Sequence, residues 1–306
     1  MNGPTSGGEA LAQNSDARAA LLGVGCGLGA ALFWALGFVA TRHGLKVGFT
    51  PADLMMHRFL WSGIAFLPLV VRAGFGDLYG IGWGRGLALM VLGGPVMSII
   101  SYTGFLFVPL GHGSVIQPSC ATLGGIFLAA VLLRERISFS RFCGAVVIVA
   151  GLVVIGGESI GHIGLGGVQG DLIFVLTGFM FAGFATLVRY WRISAFSAAV
   201  VISVLSLSLF PVYAASGALA RVTAIGISEN ALQAFGQGIL AGPAAMYLFA
   251  FSIQLLGVAR AAVFPAIVPA LTLLVGWLLL GEPPTALQTA GLVTVLSGFY
   301  LAQRQR

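Results

Sequence analysis

Two glutamates stand out in this sequence because each follows a proline by the same 17 positions: Pro118 with Glu135, and Pro265 with Glu282. Each pair brackets an apolar run that opens on Leu-Gly, at Leu110-Gly111 and Leu256-Gly257. Proline inside a helix removes a backbone donor and leaves a free carbonyl or a kink. A carboxylate at a helix C-terminus opposes the helix dipole and calls for a cation. The pattern therefore describes two helices, each latched at its end and each either bent for gating or kinked for packing, and Pro269 adds a further break to the second. Arg134, Arg136 or Arg141 could compensate Glu135, whereas Glu282 has no basic neighbour in sequence and must find a partner elsewhere.

Other reactive chemistry is thin. Every Asp and Glu falls at or beyond the end of an apolar run, and a proton-coupled carrier needs a titratable group at depth. His57 and His112 are the remaining candidates, both near the outer end of a run, and both read as interfacial or packing residues. Downhill flux without proton coupling is the expectation. A phosphate-cradling loop needs a Gly-Lys pair, but the single lysine, Lys46, follows Leu45. Gly74-Phe75-Gly76-Asp77 matches the GxGD string of intramembrane aspartyl proteases, yet it lies in a link and no second aspartate sits within a run. Ala214-Ala215-Ser216-Gly217 lacks the first glycine of the serine counterpart. Cys26, Cys120 and Cys143 form no CxxC and read as packing residues. No catalytic residue, cofactor or metal site is expected, and the chain reads as not an enzyme. Arg58, about two turns into an apolar run, admits two readings: it binds a substrate carboxylate, or it ties helix ends together through their carbonyls.

The elements that must position these groups are membrane helices. Only 8% of the 306 residues are charged and mean hydropathy is +1.01, against about 25% charged in soluble domains. The apolar runs are unbroken and of helical length, not the ten-residue alternations of a barrel. Ten spans follow: 19–41, 53–72, 86–108, 112–133, 139–157, 170–190, 195–216, 232–256, 260–281 and 285–302. Residues 1–17 read as a disordered cytoplasmic tail. Basic residues set the orientation: with the N-terminus in the cytoplasm, eleven arginines lie inside, while Arg42, Lys46 and Arg221 lie outside. The scatter of single arginines argues against nucleic acid as the reason for the net charge of +6.

The chain is also doubled. Arg42 and Arg189, Pro118 and Pro265, Glu135 and Glu282, Gly144 and Gly291, and Gly151 and Gly298 are all 147 residues apart. Gly94-Pro95 and Gly242-Pro243 are 148 apart. Repeats of five spans, an odd number, enter the membrane in opposite senses, an arrangement frequent in secondary transporters. The expected fold is therefore an all-α membrane protein of ten transmembrane helices in two inverted five-helix repeats, over 19–157 and 168–302.

These features, with the proline-to-glutamate helix in fourth and ninth place and His57-Arg58-Phe59 in the second span, resemble the EamA-type carriers of the drug/metabolite transporter superfamily over nearly the whole chain. The bacterial aromatic amino-acid exporters are the branch it looks nearest to. The resemblance implies a small-metabolite carrier in a bacterial inner membrane, exporting amphipathic solutes such as amino acids, while the charge bias over ten spans puts both termini in the cytoplasm. It also implies a central cavity lined by spans one, three, four, six, eight and nine. On those spans the groups suited to such a solute are Trp34; Ser98, Ser101, Tyr102 and Phe105, which share a helical face; Gln117; and Tyr247, Phe251 and Gln254. Rings would contact the apolar part and amides or hydroxyls the polar end, although aromatic stripes also serve plain helix packing. Arg58, His112, Pro118, Glu135, Pro265, Pro269 and Glu282 are assigned to gating and structure. Partners are a small solute and membrane lipid, with no nucleic acid, in a monomer or weak homodimer. The same fold could carry a drug, sugar, nucleotide sugar or lipid, but a nucleotide would need several basic groups where only Arg58 is available. Overlapping GxxxG pairs at Gly23/Gly27, Gly25/Gly29 and Gly82/Gly86 suit close helix contact.

Overall fold

The computed structural model describes residues 6–303, and every regular element among them is helical. The first repeat comprises α1 (Ser6–Val47), α2 (Pro51–Ala73), α3 (Trp83–Gly93), α4 (Pro95–Gly104), α5 (Leu110–Leu132) and α6 (Phe139–Glu158). A π-helical turn, Ser159–Ile163, leads into the second. That repeat holds α7 (Leu165–Tyr190), α8 (Ala195–Ser206), α9 (Phe210–Ala215), α10 (Ala218–Ile225) and α11 (Ile227–Gln233). A π-helical stretch, Ala234–Ala244, then gives way to α12 (Ala245–Leu256), α13 (Val258–Ala261), α14 (Val263–Leu280) and α15 (Ala286–Gln303).

Nine helical stretches among the described residues are long and apolar enough to cross a membrane. Their outward faces carry large apolar side chains such as Phe127, Val153 and Leu278, as a lipid-facing surface requires. Of the tail expected over 1–17, residues 1–5 lie outside the described residues, and from Ser6 the chain is already helical. Ala10-Leu11-Ala12 and the alanines that follow are good helix formers and continue α1 outward. The link expected near 217–231 is also helical, as α10 and α11.

Local sequence explains the boundaries. Thr50 caps α2 in a reciprocal box with Asp53, and Pro51 occupies the first turn, where no backbone donor is lost. The two Gly-Pro marks break equivalent helices. Gly94, with φ −116° and ψ −140°, separates α3 from α4, and Gly242, with φ −90° and ψ −108°, kinks the π-helical stretch before α12. The prolines of the twin helices differ. Pro118 and Pro269 lie inside α5 and α14. Pro265 falls in the first turn of α14, because α13 is a separate short helix, so it costs no intrahelical bond there.

Packing follows the duplication. α6 lies along α15 and α2 along α8, each beside its own counterpart. α1 packs on α12 and α14, and correspondingly α7 packs on α3–α4 and α5. At the α6–α15 crossing the repeat-related glycines meet. A Cβ on Gly151 would lie 2.9 Å from the Gly291 carbonyl oxygen, and one on Gly298 2.9 Å from that of Gly144. The α1 glycines pack internally: Gly23 against Leu255 and Leu256, Gly27 against Phe264, and Gly29 against Leu248.

Candidate functional site

The latches cross between the repeats. Arg42, in the last turns of α1, reaches Glu282 just past α14, with Nε 3.1 Å from Oε1. Lys46 Nζ approaches the same oxygen to 2.6 Å, and Arg42 Nη1 donates to the Phe105 carbonyl at 2.6 Å. Burial alone would raise the Glu282 carboxyl, but the hydrogen bond from Lys46 and the charge and hydrogen bond of Arg42 outweigh it and hold it below the usual carboxylate range. At the other latch Arg189, the penultimate residue of α7, bonds Glu135, and Arg141 stands 3.4 Å away. Each arginine thus holds the glutamate of the opposite repeat. Arg141 is one of the cations expected from the sequence; Arg189 is not, although its 147-residue offset from Arg42 equals that between the glutamates and is the signal that points to it.

The expected lining residues separate into two groups. Ser98, Ser101, Tyr102 and Phe105 are buried together, and Ser101 Oγ donates to Gln117 Oε1 at 3.0 Å. Phe105 packs against Phe174, with ring centroids 4.7 Å apart, and against Phe38. Trp34, half-buried, meets Phe249 edge-on at 5.2 Å. The α12 group is placed elsewhere. Tyr247, 64% exposed, stacks on Phe251, and both stand on the outer surface with Gln254. The face of α12 that meets α1 carries Leu248, Leu255 and Ser252, whose hydroxyl donates to the Gly23 carbonyl at 2.8 Å. Neighbouring stripes of one helix separate packing from exposure, and all-apolar flanks gave the sequence no means of choosing between them.

Arg58 is half-buried and makes no ion pair among the described residues. A Cβ on Gly37 of α1 would lie 4.0 Å from its Nη1 and 3.9 Å from Gln237 Oε1, so the guanidinium and this amide both border Gly37. Gln237 and Gln233, both fully buried, donate from Nε2 to the Gly37 and Ala40 carbonyls, leaving both Oε1 atoms without partners. Sequence reasoning passed over this pair, which lies at the π-helical stretch, an irregularity frequent at functional sites.

The histidines also resolve. Trp61 Nε1 donates to His57 Nδ1 at 3.3 Å, so Nε2 carries the proton toward Asn230 Oδ1 at 3.1 Å, in a satisfied neutral ring. His112 is different. It is fully buried, with Nδ1 2.8 Å from Asp171 Oδ1 and Nε2 3.4 Å from Glu158 Oε2. Asp171 lies inside α7, buried, which departs from the expectation that every carboxylate stands at a helix end. α7 begins at Leu165, five residues earlier than the span expected from 170.

A separate apolar cavity of about 660 Å³ lies among α2, α9, α10, α11 and the π-helical stretch, lined in part by His57, Trp61, Phe210, Tyr213 and Asn230. Beside it Arg221 grips Asp53 through two bonds of 2.8 and 3.0 Å, joined by the Tyr213 hydroxyl at 2.7 Å.

Comparison with known proteins places this architecture. The model of the EamA-like transporter family matches residues 21–157 and 168–303, and the chain belongs to that family. It is a membrane transporter of the drug/metabolite superfamily, not an enzyme. It is 26% identical over 283 residues to an uncharacterized transporter of Archaeoglobus fulgidus, an alignment covering 90% of this chain and 96% of that one. A solved crystal structure shares the fold at a TM-score of 0.58 with 18% identity, over 93% of this chain and 95% of the other.

Proposed function

We propose that this protein is a secondary carrier that exports small amphipathic metabolites, amino acids foremost, by rocking two inverted five-helix halves about a seam. In this reading α15 is the tenth span, both termini are cytoplasmic, and the membrane is a bacterial inner membrane. The observation that carries it is the pair of cross-repeat latches. Arg42 bonds the carbonyl of Phe105, just before α5 begins, while Glu135, just after α5 ends, meets Arg189. α5 has 23 residues and is about 35 Å long at 1.5 Å per residue. The ends of α1 and α7 therefore sit at opposite ends of α5, which supports a reading as inverted repeats with one latch per face. Opening either face requires one glutamate to release the other repeat's arginine, and with both bridges made Ser101, Phe105 and Gln117 are covered from both sides. Arg58, without an ion pair among the described residues, suits the carboxylate of an amino-acid solute, and the free Gln237 Oε1, an acceptor, suits a donor such as its ammonium group.

Counterflow in proteoliposomes with labelled amino acids tests this directly. Trans-stimulated uptake of at least one is the expected outcome, and absence of exchange with any small solute overturns it.

A further inference from the structure

We propose that His112, Glu158 and Asp171 form a proton-binding site whose loading holds the neighbouring Glu282 latch shut. The site gathers four elements at one end of the bundle. His112 comes from the first turn of α5, Glu158 from the last residue of α6, Asp171 from α7, and the neutral Thr285 and Gln288 from the residue before α15 and its first turn. Ser159 Oγ donates to Asp171 Oδ2 at 2.6 Å, Thr285 Oγ1 to Glu158 Oε2 at 3.0 Å, and Gln288 Nε2 to Glu158 Oε1 at 3.3 Å.

The chemistry of the ring decides what the site binds. A neutral imidazole has one N–H and can satisfy one carboxylate; its other nitrogen then turns a lone pair toward the second. His112 has a carboxylate at each nitrogen, and its Nε2 is buried without an aligned hydrogen bond. With the ring neutral and both acids ionised, the cluster buries two negative charges. No Arg or Lys side chain bonds any of the three among the described residues. The nearby cations, Arg42 and Lys46, are committed to Glu282. One added proton gives an imidazolium that donates to both sides and halves the buried charge. The ligand is thus a single proton, which arrives from water and returns to it.

The fold does not demand this cluster. Along the 147-residue repeat the counterpart of His112 is Ala259 and that of Asp171 is Val24, whereas the latch residues are duplicated. Its position ties it to the gate. Losing the proton leaves Glu158 and Asp171 repelling one another, and Glu158 is bonded to Thr285, which lies three residues beyond Glu282 on the same five-residue link, so its displacement is passed to the latch. The expectation of flux indifferent to pH rested on the lack of a buried titratable group, and this cluster supplies one. The proposal rests on the reading of Glu282 as a gate, but its test uses no transported solute, so its failure is distinct from failed counterflow.

Nitrogen-15 NMR of histidine-labelled full-length protein in nanodiscs tests it. The His112 signal is assigned by loss in His112→Gln or, should that variant not fold, in protein carrying His43→Gln, His57→Gln and His162→Gln. The expected result is a ring that titrates between imidazolium and neutral within pH 5–9, with the midpoint lowered at least one unit, a tenfold loss of proton affinity, in Asp171→Asn. A ring neutral throughout that range, or a midpoint unmoved by Asp171→Asn, overturns the site. Arg42→Gln tests the link to the latch. Removing a nearby cation raises the midpoint by simple electrostatics, whereas a broken latch must weaken proton binding by linkage and lower it. A lowered midpoint supports the coupling; a raised or unchanged one overturns it.

Discussion

The two latches are one device built twice, yet they differ in depth. At the α14 end Arg42 and Glu282 are each 21% exposed, Lys46 adds a second cation, and the arginine also holds the Phe105 carbonyl. At the α5 end Arg189 is 60% exposed and its companion Arg141 stands farther off. Charge-assisted bonds shielded from water contribute about 1.5–3 kcal/mol, while exposed ion pairs contribute about 0–1 kcal/mol. Equivalent residues in a duplicated chain therefore need not be equivalent in energy. The α14 bridge is the more shielded of the two, and in the proposed cycle it is the firmer closure, so that opening is expected more readily at the α5 end.

The largest expected effect comes from reversing the deeper latch. Arg42→Glu should raise counterflow severalfold or collapse it, and should lower the thermal midpoint by several degrees. Adding Glu282→Arg should restore most of both, with a coupling of about 1–3 kcal/mol in the double-mutant cycle. No rescue would detach the pair from gating. The corresponding exchange of Arg189 and Glu135 should show a coupling of about 1 kcal/mol or less; a larger value than at Arg42 would invert the comparison.

Acid should sharpen the contrast. The Glu282 carboxyl is depressed in the folded protein, so its stabilising contribution is complete above the ordinary glutamate value of 4.5 and is lost as pH falls through the lower folded value. Thermal midpoints between pH 7 and 3 should therefore drop in the wild type by more than in Glu282→Gln. Equal drops would show that the latch carries no such linkage. The smallest effects concern the lining. Gln117→Ala should slow flux a few-fold without loss of folded protein, whereas Tyr247→Ala, on the outer surface, should leave flux unchanged.

Much of the fold was legible in the sequence because lipid imposes long apolar runs and a duplication repeats its own punctuation. Gly94-Pro95 and Gly242-Pro243 do break equivalent helices, and Gly144, Gly151, Gly291 and Gly298 do meet at one crossing. The site was less legible. Spacing told which residues of α12 share a face but not that Tyr247, Phe251 and Gln254 are turned outward. His112 gave no sign of Glu158 and Asp171, 46 and 59 residues away, because that juxtaposition is made by helix packing alone. Glu282 declared its need for a cation, and only the folded chain supplied Arg42 and Lys46.

The most direct test is sidedness. In right-side-out and inverted membrane vesicles, a membrane-impermeant maleimide is applied to protein carrying a single added cysteine, Pro283→Cys beside one latch or Arg136→Cys beside the other. The inverted arrangement requires labelling at 283 from one face and at 136 from the opposite face. Labelling of both from the same face would contradict it.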